Sequence, residues 1–215
     1  QLTSLDVSNN IYLAELACEN NYLTSLDVST NTALSELWCE NNYLTSLDVS
    51  TNTVLIYLDC PYNQLTSLDL SGAIALVDVD CAGNLLECLD ISNNINLYYL
   101  TCSDNLLEQL NTRNGNWVNG MAVYANTNNL TCVEVDNIGY ATSNWQSTFD
   151  SFVTFSANCN YTNPCTTVSA IEEQTTNKEL LKVTDILGRE VNEKRNTPLF
   201  YIYNDGTVEK KIIFE

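Results

Sequence analysis

The sequence predicts a solenoid of the α/β type dominated by β-structure. It has a parallel β-sheet on its concave face, an aromatic C-terminal cap, and a small antiparallel β domain after the cap. Three observations carry this. From Leu2 to Leu107 one phrase recurs with a period of 21 residues and no slippage. Single residue types fall in columns at that period: Cys18, Cys39, Cys60, Cys81 and Cys102; Asn21, Asn42, Asn63, Asn84 and Asn105; Asp6, Asp27, Asp48, Asp69 and Asp90. The charge is also divided. Residues 1–177 hold 20 acidic side chains and one basic one, Arg113, whereas residues 178–215 hold 7 of each sign.

One repeat shows why the chain coils. In the first, Leu16 and Cys18 alternate with Glu15, Ala17 and Glu19, which is the period-2 pattern of a short strand with one apolar face. Asn21 then turns inward, where a buried amide is tolerated only if it bonds backbone groups of its own and the adjacent coil. Leu23, Leu26 and Val28 continue the core along the return path, and the following Asp and Ser residues suit local backbone bonding in a turn. No coil buries its leucines alone, so stacking makes the core. A fixed period of about 20–29 residues with the pattern L-x-x-L-x-(L/C)-x-x-N-x-L is the signature of leucine-rich repeats.

The cysteine column stands where a third leucine is usual and is expected to pack as buried thiols. In-register strand neighbours suit a disulfide poorly. This ladder resembles the 21-residue, cysteine-containing repeats of the internalin group of bacterial surface proteins, over roughly residues 1–135.

Taken in order, residues 1–135 form the repeat domain, with Gln1 entering in mid-repeat and no polar cap, so that an upstream part or a partner is expected to cover that end. The sixth coil is degenerate. Val118, Met121 and Val123 take the positions of Leu97, Leu100 and Cys102, Asn126 takes the ladder position, and two residues are added before Leu130, Val133 and Val135. Residues 136–160 are the cap, with Tyr140, Trp145, Phe149, Phe152 and Phe155 as a lid and a short helix starting at Ser143 or Asn144. Cys88, Cys132, Cys159 and Cys165 lie outside the ladder. Cys132–Cys159 is the favoured disulfide, with Cys159–Cys165 next. Residues 161–177, rich in Thr, Ser, Asn and Glu, read as a linker.

Residues 178–215 read as three strands, Leu180–Leu187, Pro198–Tyr203 and Thr207–Phe214, with a hairpin turn at Asn204-Asp205-Gly206. The run through Asp185, Gly188 and Arg189, then Asp205, Gly206, Lys210 and Lys211, looks like the C-terminal sorting domain of type IX secretion cargo. That resemblance implies export to the outer-membrane surface or beyond in a Gram-negative bacterium. It also implies that the translocon or its shuttle proteins recognise the tail. The Pro-Asn-Pro element of longer versions is missing, with only Asn163-Pro164-Cys165 in its place.

Function is expected on the concave face. Its first column is Glu15, Glu36, Tyr57, Asp78 and Tyr99; its second is Ala17, Trp38, Asp59, Asp80 and Thr101; its third is Glu19, Glu40, Pro61, Ala82, Ser103 and Tyr124. The candidate ligand-binding set is Glu15, Glu36, Trp38, Tyr57, Asp59, Asp78, Asp80 and Tyr99, with an exposed Trp38 as anchor for a protein or glycan. The acidity argues against nucleic acid. With no histidine, the usual catalytic triads and most metal sites are excluded, and no enzymatic activity is expected. No cofactor is expected. Calcium is the one ion the carboxylates of Asp59, Asp78 and Asp80 could take, although a hard cation wants about six to eight oxygens. The second reading is a structural subunit of an outer-membrane or extracellular assembly.

Overall fold

The computed structural model describes residues 1–161, 165, 180–184, 198–203 and 208–212. The chain divides into two compact units, Gln1–Ser169 and Ala170–Glu215. In the first, coil after coil contributes a three-residue strand: β1 (Glu15–Ala17), β2 (Glu36–Trp38), β3 (Tyr57–Asp59), β4 (Asp78–Asp80), β5 (Cys88–Asp90), β6 (Tyr99–Thr101), β7 (Gln109–Asn111), β8 (Ala122–Tyr124), β9 (Cys132–Glu134) and β10 (Thr154–Ser156). They form two parallel sheets, β1-β2-β3-β4-β6-β8 on the concave face and β5-β7-β9-β10 on the return path. The strands are short because the middle side chain alone turns inward. Leu16, Leu37, Leu58, Val79, Leu100 and Val123 are buried while their flanks face out.

The ladder residues do what buried polar groups must. Asn63 donates to the Cys39 and Cys60 carbonyls (3.0 and 3.2 Å) and accepts from the Leu44 N–H at 2.9 Å. A second amide ladder, not expected from the sequence, runs through Asn31, Asn52 and Asn94. Each reaches two carbonyls of the preceding coil, as Asn52 does to Val28 (3.2 Å) and Asn31 (2.9 Å). The five ladder cysteines are buried and free, and burial pushes their thiols up, Cys18 to about 11. Each aspartate of the turn column accepts from the serine N–H two residues on, from Asp6 to Ser8 (3.0 Å) through Asp90 to Ser92 (2.8 Å).

The sixth coil corrects the sequence reading. Leu100 pairs with Val123 and Thr101 with Tyr124, so the two extra residues precede β8 rather than follow it. They are absorbed at the 3₁₀ turn Asn116–Asn119, which leaves Val118 exposed. The ladder amide is therefore Asn128, not Asn126: it accepts from Leu107 N–H and donates to the Cys102 and Ala125 carbonyls. The reason is the fixed Asn-x-Leu spacing, which Asn128 keeps with Leu130 as Asn21 does with Leu23.

The cap differs as well. Its helix α1 is Ile138–Asn144, so Ser143 and Asn144 end it, and Asn137 caps it by accepting from Tyr140 N–H at 2.9 Å. Trp145 and Phe149 close the core, and Trp145 Nε1–H donates to the Met121 carbonyl at 2.8 Å. Phe155 packs edge-on against both, whereas Phe152 points out at 61% exposure. Through β10 the cap also extends the return-path sheet.

Two disulfides tie a terminal strap across that sheet. Cys132 bonds Cys159, and Cys165 bonds Cys88 rather than Cys159. Cys88, Gln109 and Cys132 share one column, so the stretch bridged through Cys159 and Cys165 is anchored on both sides of β7, at β9 and β5. Tyr161 fastens it midway, its hydroxyl accepting from Leu110 N–H (3.3 Å) and donating to the Cys132 carbonyl (2.8 Å). These bonds fit an oxidising, extracellular setting. Among the described residues no helix is long and apolar enough to cross a membrane.

The second unit holds an antiparallel sheet in the order β11 (Leu180–Thr184), β12 (Pro198–Tyr203) and β13 (Val208–Ile212). Lys210 and Lys211 lie on β13, opposite Phe200 and Leu199. Asp185, Gly188, Arg189, Asp205 and Gly206 fall outside the described residues, as does most of the 161–177 stretch.

Candidate functional site

The concave sheet aligns its outward side chains in two columns, because parallel in-register pairing puts like positions of successive coils side by side at about 4.8 Å. One column runs Glu15, Glu36, Tyr57, Asp78, Tyr99 and Ala122; the other runs Ala17, Trp38, Asp59, Asp80, Thr101 and Tyr124. Tyr124 thus belongs to the second column, not the third.

These columns line an open cavity of about 380 Å³. Trp38, Tyr57, Tyr99 and Tyr124 form its aromatic walls, and Asp59, Asp78 and Asp80 supply its carboxylates. Six of the eight residues singled out from the sequence meet here. Glu15 and Glu36 sit on β1 and β2, outside the lining. Trp38 is half-buried rather than exposed, since neighbouring strands flank it on both sides. Thr101 and Tyr124 complete the cavity and were missed. The Asn-x-Leu spacing of Asn128 and Leu130 was the signal that would have placed Tyr124.

The electrostatics are one-sided. Burial raises the Asp59 carboxyl to about 6, with Glu40, Asp80 and Asp78 adding repulsion. Asp78 is raised by burial and by Asp80. Asp80 is raised by burial, partly offset by accepting the Ala82 N–H at 2.9 Å. Asp59 Oδ1 is buried with no hydrogen-bond partner among the described residues, as are Oε2 of Glu19 and of Glu40 on adjoining positions. The nearest thing to a counter-charge in residues 1–161, Arg113, sits 4.0 Å from Glu134 on the other sheet. Among the described residues no three His, Cys, Asp or Glu side chains are placed to hold a metal ion. What the arrangement offers is several desolvated negative charges framed by π-faces, a chemistry that attracts a cation.

No protein-family model matches the chain, and no curated protein does. Solved structures do. The functional domain of InlJ from Listeria monocytogenes, described as including a cysteine ladder, is 34% identical with a TM-score of 0.59, covering 71% of this chain and 32% of its own. The leucine-rich repeat domain of APL1B is 20% identical with a TM-score of 0.53, covering 63% of this chain and 42% of its own. The chain thus spans about a third of the first of these structures. With its period, its asparagine and cysteine ladders and its parallel concave sheet, the first unit has a leucine-rich repeat fold.

Proposed function

We propose that this protein is a secreted or surface-displayed recognition and adhesion module, without catalytic activity, that holds a protein or glycan ligand on its concave face. The observation that carries this reading is the cavity in which four aromatic side chains frame three clustered, desolvated carboxylates. Such a site favours a ligand presenting positive charge, either a basic protein segment or an amino sugar. The likeness of the repeats to the internalin group and the two disulfides support an extracellular location. The sorting-like tail supports export by a type IX translocon, with the outer-membrane surface as destination. Two variants of the full chain test the two halves. Removing residues 178–215 is expected to abolish export, and undiminished secretion overturns the route. Trp38→Ala is expected to abolish binding to an array of basic proteins and aminoglycans, and undiminished binding overturns the site.

A structural role in a larger assembly is the second reading. One observation favours it: Ile74, Ile95 and Val118, in successive coils, expose an apolar stripe at 53%, 63% and 65%. Ile95→Glu should then disrupt the assembly while Trp38→Ala leaves it intact.

A further inference from the structure

A second cleft lies on the flank of the solenoid, where the chain leaves the concave strands. It has a volume of about 370 Å³ and is lined by Tyr22, Tyr43 and Tyr62 with Asn20, Asn21, Asn41 and Asn42. Among the described residues no charged side chain lines it, although the sequence carries a net charge of −19. Its chemistry is therefore distinct from that of the acidic concave cavity. We propose that this cleft binds a neutral saccharide.

The aromatic part is preorganised. Tyr22 and Tyr43 are stacked, with ring centroids 5.9 Å apart and planes 24° from parallel. Both are exposed, at 43% and 47%, so their rings present π-surface to solvent. In later coils the same column holds Gln64, Leu85 and Leu106, which confines the tyrosines to this end of the flank. Tyr62 supplies the third ring from an unusual position. The third residue past each concave strand adopts a left-handed backbone: φ is 57° at Asn20, 54° at Asn41, 65° at Gly83, 55° at Asp104 and 60° at Thr127, outside the cleft. Asn, Asp and Gly accept that conformation readily, whereas a bulky side chain there is strained. Tyr62 nonetheless occupies it at φ 54°. Its ring lies where a Cβ on Gly83 would come within 2.5 Å of it, so the next coil makes room for it by having no side chain. Strained backbone of this kind clusters at functional sites, and here it places a third aromatic ring in the cleft.

The polar part is free to bind. The ladder amides of Asn21 and Asn42 are fully engaged with backbone groups. Asn20 and Asn41 are exposed, and their side chains make no hydrogen bond to the described residues. Two unengaged amides, one coil apart and each both donor and acceptor, thus stand beside a tyrosine stack. A pyranose ring matches this pairing, with an apolar C–H face to lie on tyrosine and hydroxyls to meet the amides. A cationic ligand finds no carboxylate here, and an anionic one finds no base.

The test uses the full chain, with N-acetylglucosamine trimer, maltotriose and cellotriose as neutral probes and sialyllactose as the charged control. Binding is read by saturation-transfer NMR and isothermal titration. At least one neutral probe is expected to bind. Tyr43→Ala and Tyr62→Asn are each expected to weaken it by about tenfold, the equivalent of ~1.4 kcal/mol, and Trp38→Ala is expected to leave it unchanged. Tyr62→Asn also relieves the backbone strain, so its melting temperature should hold or rise while affinity falls. A Tyr62 kept only for packing on Gly83 gives the opposite pattern, with a lower melting temperature and unaltered binding, and that result overturns the proposal. So does failure of all three neutral probes to bind, or equal binding of sialyllactose. Because Trp38 is outside this cleft, failure here and failure of the concave site are read separately.

Discussion

Replacing Asn63 by Ala isolates what one rung of the ladder contributes. The amide is buried and makes bonds in both directions along the solenoid. Its loss does not strand the carbonyls, because Cys39 O still accepts from Asn42 and Cys60 O still accepts from Asn84. It does strand the Leu44 N–H, whose residue is fully buried. An orphaned buried donor costs about 1–3 kcal/mol, and two weakened carbonyl bonds add roughly 1 kcal/mol together, so the expected loss is about 3 kcal/mol. Asn21, in the first coil, donates only within its own coil, to the Cys18 and Glu19 carbonyls, and the N–H that it accepts belongs to exposed Leu2, where water can substitute. Asn21→Ala should therefore cost roughly 1 kcal/mol or less. Urea unfolding of the two variants measures the difference, with midpoints shifting and slopes held. Equal losses, or an Asn63→Ala loss under about 1 kcal/mol, would refute the argument that the ladder acts by satisfying a buried N–H.

Further outcomes follow from the same geometry. Folded Asp59 keeps its proton up to about pH 6, whereas the unfolded carboxyl releases it near its ordinary 3.8. Folding is therefore penalised as pH rises through that window and carries the full penalty above it. Asp59→Asn should raise the neutral-pH melting temperature by a few degrees, for about 1 kcal/mol after discounting for solvent screening, and give no gain near pH 4. A gain that is the same at both pH values sinks the assignment. The five ladder thiols should resist alkylation in the native protein, and labelling of Cys60 without unfolding contradicts their burial. Loop-closure entropy gives the bridges spanning 27 and 77 residues about 3.5 and 4.5 kcal/mol. Cys132→Ser and Cys88→Ser should both lower the melting temperature followed by calorimetry, and Cys88→Ser should lower it more.

The repeat was legible because a solenoid gives each position the same surroundings in every coil, so that Cys18 and Cys102 face one environment and the pattern needs no long-range information. Breaks in the repeat were harder. The two added residues of coil six could be placed either side of Val123 by apolar pattern alone; the Asn-x-Leu spacing at Asn128 and Leu130 separates the two placements, and the pairing of Val123 with Leu100 agrees with it. The return-path sheet was not legible, since Leu89 and Leu110 pack inward whether or not their backbones pair. The Cys88–Cys165 bridge was not legible either, because the hold of the Tyr161 hydroxyl on Leu110 and Cys132 leaves no trace in the cysteine spacing. The concave site was legible wherever the columns were in register. Its limits were not, because they depend on which side chains stand tall enough to wall a cavity: Tyr57 does, and Glu15 does not.

Whether the acidic-aromatic cavity binds positive charge is decided by NMR of the isotope-labelled full chain titrated with tetralysine and, separately, with tetraglutamate. Tetralysine is expected to shift the Trp38 indole N–H and the amides of Tyr57, Asp59, Asp80 and Tyr99, and Asp59→Asn with Asp80→Asn to weaken this by about tenfold or more. Shifts that lie elsewhere on the molecule, that persist in the double variant, or that tetraglutamate reproduces would contradict it.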